Sequence, residues 1–303
     1  MIEVCLLGTG GTVPLPHRWL TSLLVRWNGN QLLVDCGEGT QIALHQAGYA
    51  CKQIDTILLT HYHADHTAGL PGLLLTMAKA ERTEPVTFYG PKGLSDLLQG
   101  VYTIARYLPF ELRYIEYEEK RQFFEIDHLD IAAFGVRHSV PTYGYSFHFD
   151  RQPKFNAAAA LASGLPKQFW GRLQKGENVE YEGKQYMAAD FLGEKRRGIH
   201  FVYATDTRPT RDIQEMSEDA DLLILEGMYG DPEKQEKAEG NRHMMMQEAA
   251  AIAAEAKAKE LWFTHYSPTL KRPADHEEEI RQIFANAVMT SDGYKKDLAF
   301  RED

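Results

Sequence analysis

Cysteine is scarce in this sequence: three among 303 residues, at Cys5, Cys36 and Cys51. Their spacing forms no metal-binding pair, which argues against a cysteine-ligated metal site. Free core thiols in a reducing cytoplasm are the expected state. Apolar runs are short, and none reaches the roughly 18 residues a membrane-spanning helix needs. The start, Met1 to Gly8, reads as a strand entering a glycine turn rather than as a secretory signal. Positive charge is also in deficit, with 33 Lys and Arg against 43 Asp and Glu, a net charge of −10. That argues against a generally basic nucleic-acid binder, while leaving room for local basic patches. There is no obvious repeat, low-complexity tract or long linker.

What is present is a hydrophobic content of 44%, enough to bury a full core. Strand-like runs recur at 3–7, 22–25, 31–34, 56–59, 86–89, 131–136, 143–149, 201–204, 222–225 and 261–264. Helical patterns fall between them at 40–47, 70–80, 94–107 and 244–258. The last is rich in Ala and Glu, so propensity and pattern agree. Strands and helices mixed without a boundary predict one α/β domain over residues 1–303.

The densest chemistry is Thr60-His61-Tyr62-His63-Ala64-Asp65-His66, directly after the apolar Ile57-Leu58-Leu59. His61 and His63 are two apart, so an extended chain points both the same way. Asp65 and His66 follow as the chain turns. Imidazole nitrogen and carboxylate oxygen are ligands that zinc accepts. Three further apolar runs each deliver one such group at their tip: His138, Asp206 and His265. Chemistry on loops at strand ends is the arrangement of a rigid-scaffold active site. Seven groups exceed what one tetrahedral ion needs; they suit two ions sharing a carboxylate, with Asp206 the natural bridge.

The His-x-His-x-Asp-His run resembles the signature of the metallo-β-lactamase superfamily. That resemblance implies an αββα sandwich, two sheets face to face with helices outside. It implies that His61, His63 and His138 hold one ion, Asp65, His66 and His265 the other, and that Asp206 bridges. Further segments narrow the likeness: Leu7 to Pro14, Val34 to Gln41, Gly69 to Leu74, His138 to Tyr145 and Tyr203 to Pro209. Together they look like ribonuclease Z, the endonuclease family that removes the 3′ trailer from precursor tRNA, and the likeness runs nearly end to end. It implies catalytic roles for Asp65 at the attacking water and for Glu226 and His243 at the departing oxygen. The family usually reads His-Glu-Ala-Thr and His-Ser-Thr at the latter two places. This chain has Leu225-Glu226-Gly227-Met228 and His243-Met244-Met245.

The resemblance also implies an inserted flexible arm, at about 165–195, that grips tRNA. Residues 167–197 carry seven Lys or Arg against five Asp or Glu, locally basic on an acidic chain. Residues 179–186 read as a hairpin around a glycine turn. Lys167, Arg172 and Lys175 are its candidate phosphate contacts. Arg18 is another, in a loop where the family often writes Pro-x-Lys-x-Arg-Asn and this chain has Pro14-Leu15-Pro16-His17-Arg18-Trp19. The expected cofactors are two zinc ions, with manganese or iron also compatible with the donor set. The expected protein is a cytoplasmic homodimer whose substrate is precursor tRNA. The competing reading is a phosphodiesterase of the same fold acting on cyclic nucleotides or other small diesters; more distant ones are a thioester or lactam hydrolase and a metal-dependent scaffold without turnover.

Overall fold

A computed structural model of the chain describes residues 1–300. The strands are β1 (Ile2–Gly8), β2 (Ser22–Trp27), β3 (Asn30–Val34), β4 (Ile54–Leu58), β5 (Val86–Gly90), β6 (Leu112–Glu116), β7 (Arg121–Ile126) and β8 (Leu129–Gly135). They continue as β9 (Tyr143–Arg151), β10 (Val179–Tyr181), β11 (Lys184–Tyr186), β12 (Arg196–Ala204), β13 (Leu222–Glu226), β14 (Leu261–Thr264), β15 (Ala287–Met289) and β16 (Tyr294–Leu298). Two seven-stranded sheets result, in the orders β16-β1-β2-β3-β4-β5-β6 and β15-β14-β13-β12-β9-β8-β7. Strands β3 to β6 run parallel to one another, as do β12 to β15.

The period-two geometry of a strand decides which core each side chain joins. From the first sheet, Ile2, Val4, Leu6, Leu23, Val25, Leu32 and Val34 point to the second sheet. There they meet Ile131, Tyr145, Phe147, Phe201, Tyr203, Leu222 and Trp262. The intervening Cys5, Leu7, Leu24, Leu33 and Ile57 point outward, under helices Thr40–Gln46, Leu70–Lys79 and Leu94–Ile104. The second sheet does the same: Val202, Ala204, Leu223, Leu225 and Phe263 pack beneath helix Met246–Glu255. Strands buried on both faces therefore read as continuous apolar runs, as observed. The two facing sheets with helices outside form the αββα sandwich expected above, and none of the described helices is long and apolar enough to cross a membrane.

Every strand and helix expected from the sequence is present, with shifted ends. The helix expected over 94–107 stops at Ile104, because Ala105 leaves helical geometry at ψ 69° and Tyr107 turns left-handed at φ 63°. The helix expected from Met244 begins at Met246, since Met245 is extended at ψ 151°. Strands β6, β7, β15 and β16 carry too little apolar alternation to be read in advance; four of five residues in β16 (Tyr294–Leu298) are exposed.

Between β9 and β12 the chain builds a separate small cluster. Ala160, Leu165, Leu173, Val179, Tyr186, Ala188 and Phe191 are its buried members, ringed by Phe155, Phe169, Trp170 and Tyr181. The expected hairpin is there as β10 and β11, turning through Gly183 at φ 72°. The cluster closes at its base where Phe155 pairs with Leu192 and Gly193 N–H donates to Lys154 O at 2.9 Å. The cluster so closed spans residues 155–192 and takes in most of the segment expected as an arm, about 165–195.

Candidate metal centre

The loops after β4, β8, β12 and β14 open at one edge of the sandwich, and all seven expected groups meet there. The chain leaves β4 extended through His63 (ψ 152°), then turns into the short helix Ala64–Thr67 that carries Asp65 and His66. His61 Nε2 lies 3.0 Å from His63 Nδ1, and His138 Nε2 lies 3.4 Å from the same atom. His66 Nε2 lies 3.3 Å from His265 Nε2, which is 3.4 Å from Asp65 Oδ2. Asp206 stands between the two groups and divides its carboxylate. Oδ2 faces His61 at 3.8 Å and His138 at 3.7 Å. Oδ1 faces His265 at 3.0 Å and His66 at 3.2 Å.

Two donor sets follow, His61-His63-His138-Asp206 and Asp65-His66-His265, each with its ligand atoms within 4.8 Å of one another. Asp206, His243 and His265 form a third grouping by the same measure. His243 Nδ1 is nearer to Glu226, at 2.9 Å, than to Asp206, at 4.0 Å. The residues fit a bound cation. The set is buried and rich in both carboxylate and imidazole, and its charges call for a positive partner. Burial disfavours protonated His66, yet Asp206 and Asp35 outweigh it and hold the ring's proton far above the ordinary histidine range. Burial also works against the charge on Asp65. A hydrogen bond to His265, with the charges of His66 and His265, nonetheless keeps that carboxyl far below its usual range. Burial, then the neighbouring charge of His66, holds the His61 imidazole well below the ordinary histidine range.

Several residues that fix these rings were not singled out by sequence reasoning. Asp35, held at φ 60°, accepts from Thr60 N–H at 2.8 Å and approaches His66 Nδ1 at 2.8 Å. It thereby leaves Nε2 of His66 for the donor set, the usual way an outer carboxylate orients a ligating imidazole. Thr12, strained at φ 72°, donates its backbone N–H to Asp65 Oδ2 at 2.6 Å. Arg242 Nη1 donates to the carbonyl of His138 at 2.6 Å. The signal for Asp35 and Thr12 was their place inside unusual glycine-rich segments. Gly11 is required by close approach: a Cβ there would lie 2.5 Å from Cε1 of His265. Gly69 is likewise pressed on the Gly37 carbonyl, which a Cβ would meet at 2.1 Å.

Glu226 ends β13 fully buried, and its Oε1 accepts from Thr207 N–H at 2.6 Å. Burial would lower the basicity of His243, but the charge and hydrogen bond of Glu226, then Asp206 and Asp65, lift it to about 9. Thr12, His63, Asp65, His138, Ser139, Asp206, Asn241, His243 and His265 line a cleft of about 590 Å³. The expected substrate contacts are not in it. Arg18 is turned inward over the ring of Tyr266, and its guanidinium donates to the carbonyls of Leu270 at 3.0 Å and Lys271 at 3.3 Å. Its donors brace the 267–271 loop. Lys167, Arg172 and Lys175 are exposed on the separate cluster, with Lys167 over Trp170 and Arg172 paired to Glu177.

Two family models match the sequence. One, described as anti-Pycsar protein Apyc1, matches residues 2–169, and a β-lactamase superfamily domain matches residues 183–266. A ribonuclease Z of Agathobacter rectalis is 49% identical over 303 residues, covering 100% of both chains. A ribonuclease Z of Lachnoclostridium phytofermentans is 47% identical over 300 residues, 99% of each chain. Among solved structures, the short form of human tRNase Z superposes with a TM-score of 0.71 at 24% identity, covering 98% of this chain and 100% of that one.

Proposed function

Because the chain belongs to the ribonuclease Z family, we propose that it removes the 3′ trailer from precursor tRNA by cutting one phosphodiester bond endonucleolytically. The observation that carries this reading is the divided carboxylate of Asp206, with one oxygen toward each donor set and the His243–Glu226 pair beside it. His61, His63 and His138 would hold one ion, Asp65, His66 and His265 a second, and Asp206 would bridge them; zinc suits the set best, with manganese or iron compatible. Bound there, two ions would supply an activated water and neutralise charge on the phosphate.

The remaining work falls to the chain's own groups. Asp65, whose Oδ2 is already tethered by Thr12 N–H, takes the proton released by the attacking water. His243 has Nδ1 committed to Glu226, so Nε2 is the nitrogen that gives a proton to the departing 3′ oxygen. Water adds to phosphorus as the bond to that oxygen breaks. The products are a tRNA with a 3′-hydroxyl and a trailer with a 5′-phosphate. The proposal includes an arm at about 165–195, inserted in one domain of residues 1–303, that contacts tRNA phosphates through Lys167, Arg172 and Lys175. It also includes a cytoplasmic homodimer, the cytoplasm being supported by three buried, unpaired cysteines. Incubating the purified protein with end-labelled precursor tRNA and mapping both product ends tests the reading. Cleavage leaving a 3′-hydroxyl is expected. Hydrolysis of cyclic nucleotides or other small diesters, with intact precursor tRNA untouched, would replace it with the small-diester reading.

A further inference from the structure

We infer that the Arg208–Glu248 ion pair is a positioning device for His243, tying the proton donor to the turn that presents Asp206. The inference rests on the role proposed above for His243.

Three consecutive residues after β12 make three connected contacts. Asp206 faces both donor sets. Thr207 N–H holds Oε1 of Glu226, whose Oε2 holds the His243 ring. Arg208 Nη1 donates to the backbone carbonyl of His243 at 2.6 Å and to Glu248 Oε2 at 2.8 Å, while Nη2 binds Glu248 Oε1. Glu248 Oε2 in turn accepts from Met245 N–H at 2.9 Å. The imidazole is thus held by its ring through Thr207 and Glu226, and by its backbone through Arg208. Both tethers start from the same turn. A displacement of that turn relative to His243 would be resisted at two points.

The pair is suited to this work. The side chains are 13% and 24% exposed, so solvent screens the pair less than it would on the open surface. A two-pronged guanidinium–carboxylate contact fixes direction as well as distance. The backbone N–H groups of His243 and Met246 are held by the carbonyls of Ala238 and Tyr229, each at 2.8 Å, but neither bond ties His243 to the Asp206 turn. Met244 and Met245 follow His243, and neither offers the hydroxyl or carboxylate that commonly accepts the first helical N–H groups. The plain alternative is that Glu248 merely caps helix Met246–Glu255. That alternative accounts for the Met245 contact. It does not account for Arg208 reaching the carbonyl of His243 from the Asp206 turn.

The test compares two substrates of the zinc-supplemented, full-length protein. Precursor tRNA has a leaving oxygen that needs a proton, and bis(p-nitrophenyl) phosphate has one that departs without it. For Arg208→Met, kcat on precursor tRNA should fall roughly 10–100-fold, the scale for a misplaced catalytic group, with KM little changed. The loss on the nitrophenyl diester should be smaller by at least about tenfold. Arg208→Lys, which keeps charge but not the fork, should recover part of the loss. Glu248→Gln should move the same way less strongly, and carries the test if Arg208→Met does not fold. Histidine-labelled NMR supplies a readout apart from turnover: the His243 ring signals should broaden while those of His148 and His200 stay as they were. Equal losses on both substrates, or tRNA turnover within about twofold of the parent, would overturn the inference. His243→Ala keeps the two readings apart. A selective loss there without one in Arg208→Met removes only the clamp, whereas an equal loss on both substrates in His243→Ala removes the role of His243 itself.

Discussion

At the cleft, His61, His66, Asp206 and His265 are almost completely shielded from solvent, and the facing nitrogens and oxygens of His66, Asp206 and His265 lie 3.0 to 3.3 Å apart. In the cluster between β9 and β12, the corresponding candidates Lys167, Arg172 and Lys175 stand exposed, held at most by one neighbouring ring or carboxylate. The cleft is bounded by the ends of four strands whose own cores are large. The cluster has seven buried residues of its own and is joined to the sandwich by two crossings of the chain. A cluster of like and unlike charges can be kept in register only where the surrounding scaffold prevents its members from moving apart. Long cationic side chains that meet a flexible polyanion need no such precision, because phosphate attraction is long-ranged and tolerant of geometry. The two regions therefore answer differently to substitution.

The largest effect is expected at Asp206. Asp206→Ala removes the group that faces both donor sets. Turnover of any diester should drop by more than about 10³-fold, beyond the 10–100-fold typical of losing an outer partner of a ligand. Elemental analysis should show lowered zinc as well. Full zinc content with normal turnover would break the contrast at its stronger end.

Excising residues 155–192 and rejoining Lys154 to Gly193 through a short glycine linker cuts where the chain already closes on itself. Cleavage of precursor tRNA should fall about 100-fold while nitrophenyl diester hydrolysis persists, and the salt dependence of RNA binding should flatten by roughly one unit of slope per lost phosphate contact. Equal loss of both activities would mean that the cluster supports the sandwich.

Gly11→Ala sharpens the comparison from the other side. Its Cβ would fall 2.5 Å from the His265 ring, so the ring must move. A shift of about 1 Å can cost roughly 10²-fold, and here the loss should be alike for RNA and for the small diester. The effect should be visible in steady-state rates on both substrates; a loss confined to RNA would refute the assignment of His265 to the metal centre. The smallest effect is expected for Leu173→Ala, a fully buried side chain of the small cluster. Losing it should cost about 2 kcal/mol, at the low end for such a truncation because so small a core can collapse around the gap. Hydrogen exchange should rise across 155–192 and stay unchanged in the two sheets.

The seven residues that meet at the cleft were legible in advance for a local reason. Four lie together in the polar run that begins at Thr60 after Ile57-Leu58-Leu59, and the other three each follow the end of an apolar run; a strand buried on both faces announces its own end when polar groups interrupt it. Strand β7 was not legible. Arg121-Gln122-Phe123-Phe124-Glu125-Ile126 lies at the edge of its sheet, where one face meets solvent and the apolar signal is halved. The bracing role of Arg18 was not legible either, because a surface-loop arginine looks the same whether its guanidinium meets water, phosphate or the carbonyls of a loop some 250 positions away.

By itself the order of residues determined the sandwich, the donor set and the family, because period-two burial and short ligand spacings are properties of neighbouring positions. Tertiary structure alone decided which oxygen of Asp206 faces which histidines, that Asp35 selects the nitrogen His66 presents, and that Arg208 reaches His243 and Glu248 across 35 and 40 positions. Those contacts join ordinary residues from distant segments. Nothing in their local sequence marks them, since their partners come within reach only when the two sheets close on a shared core and bring four loop ends to one edge.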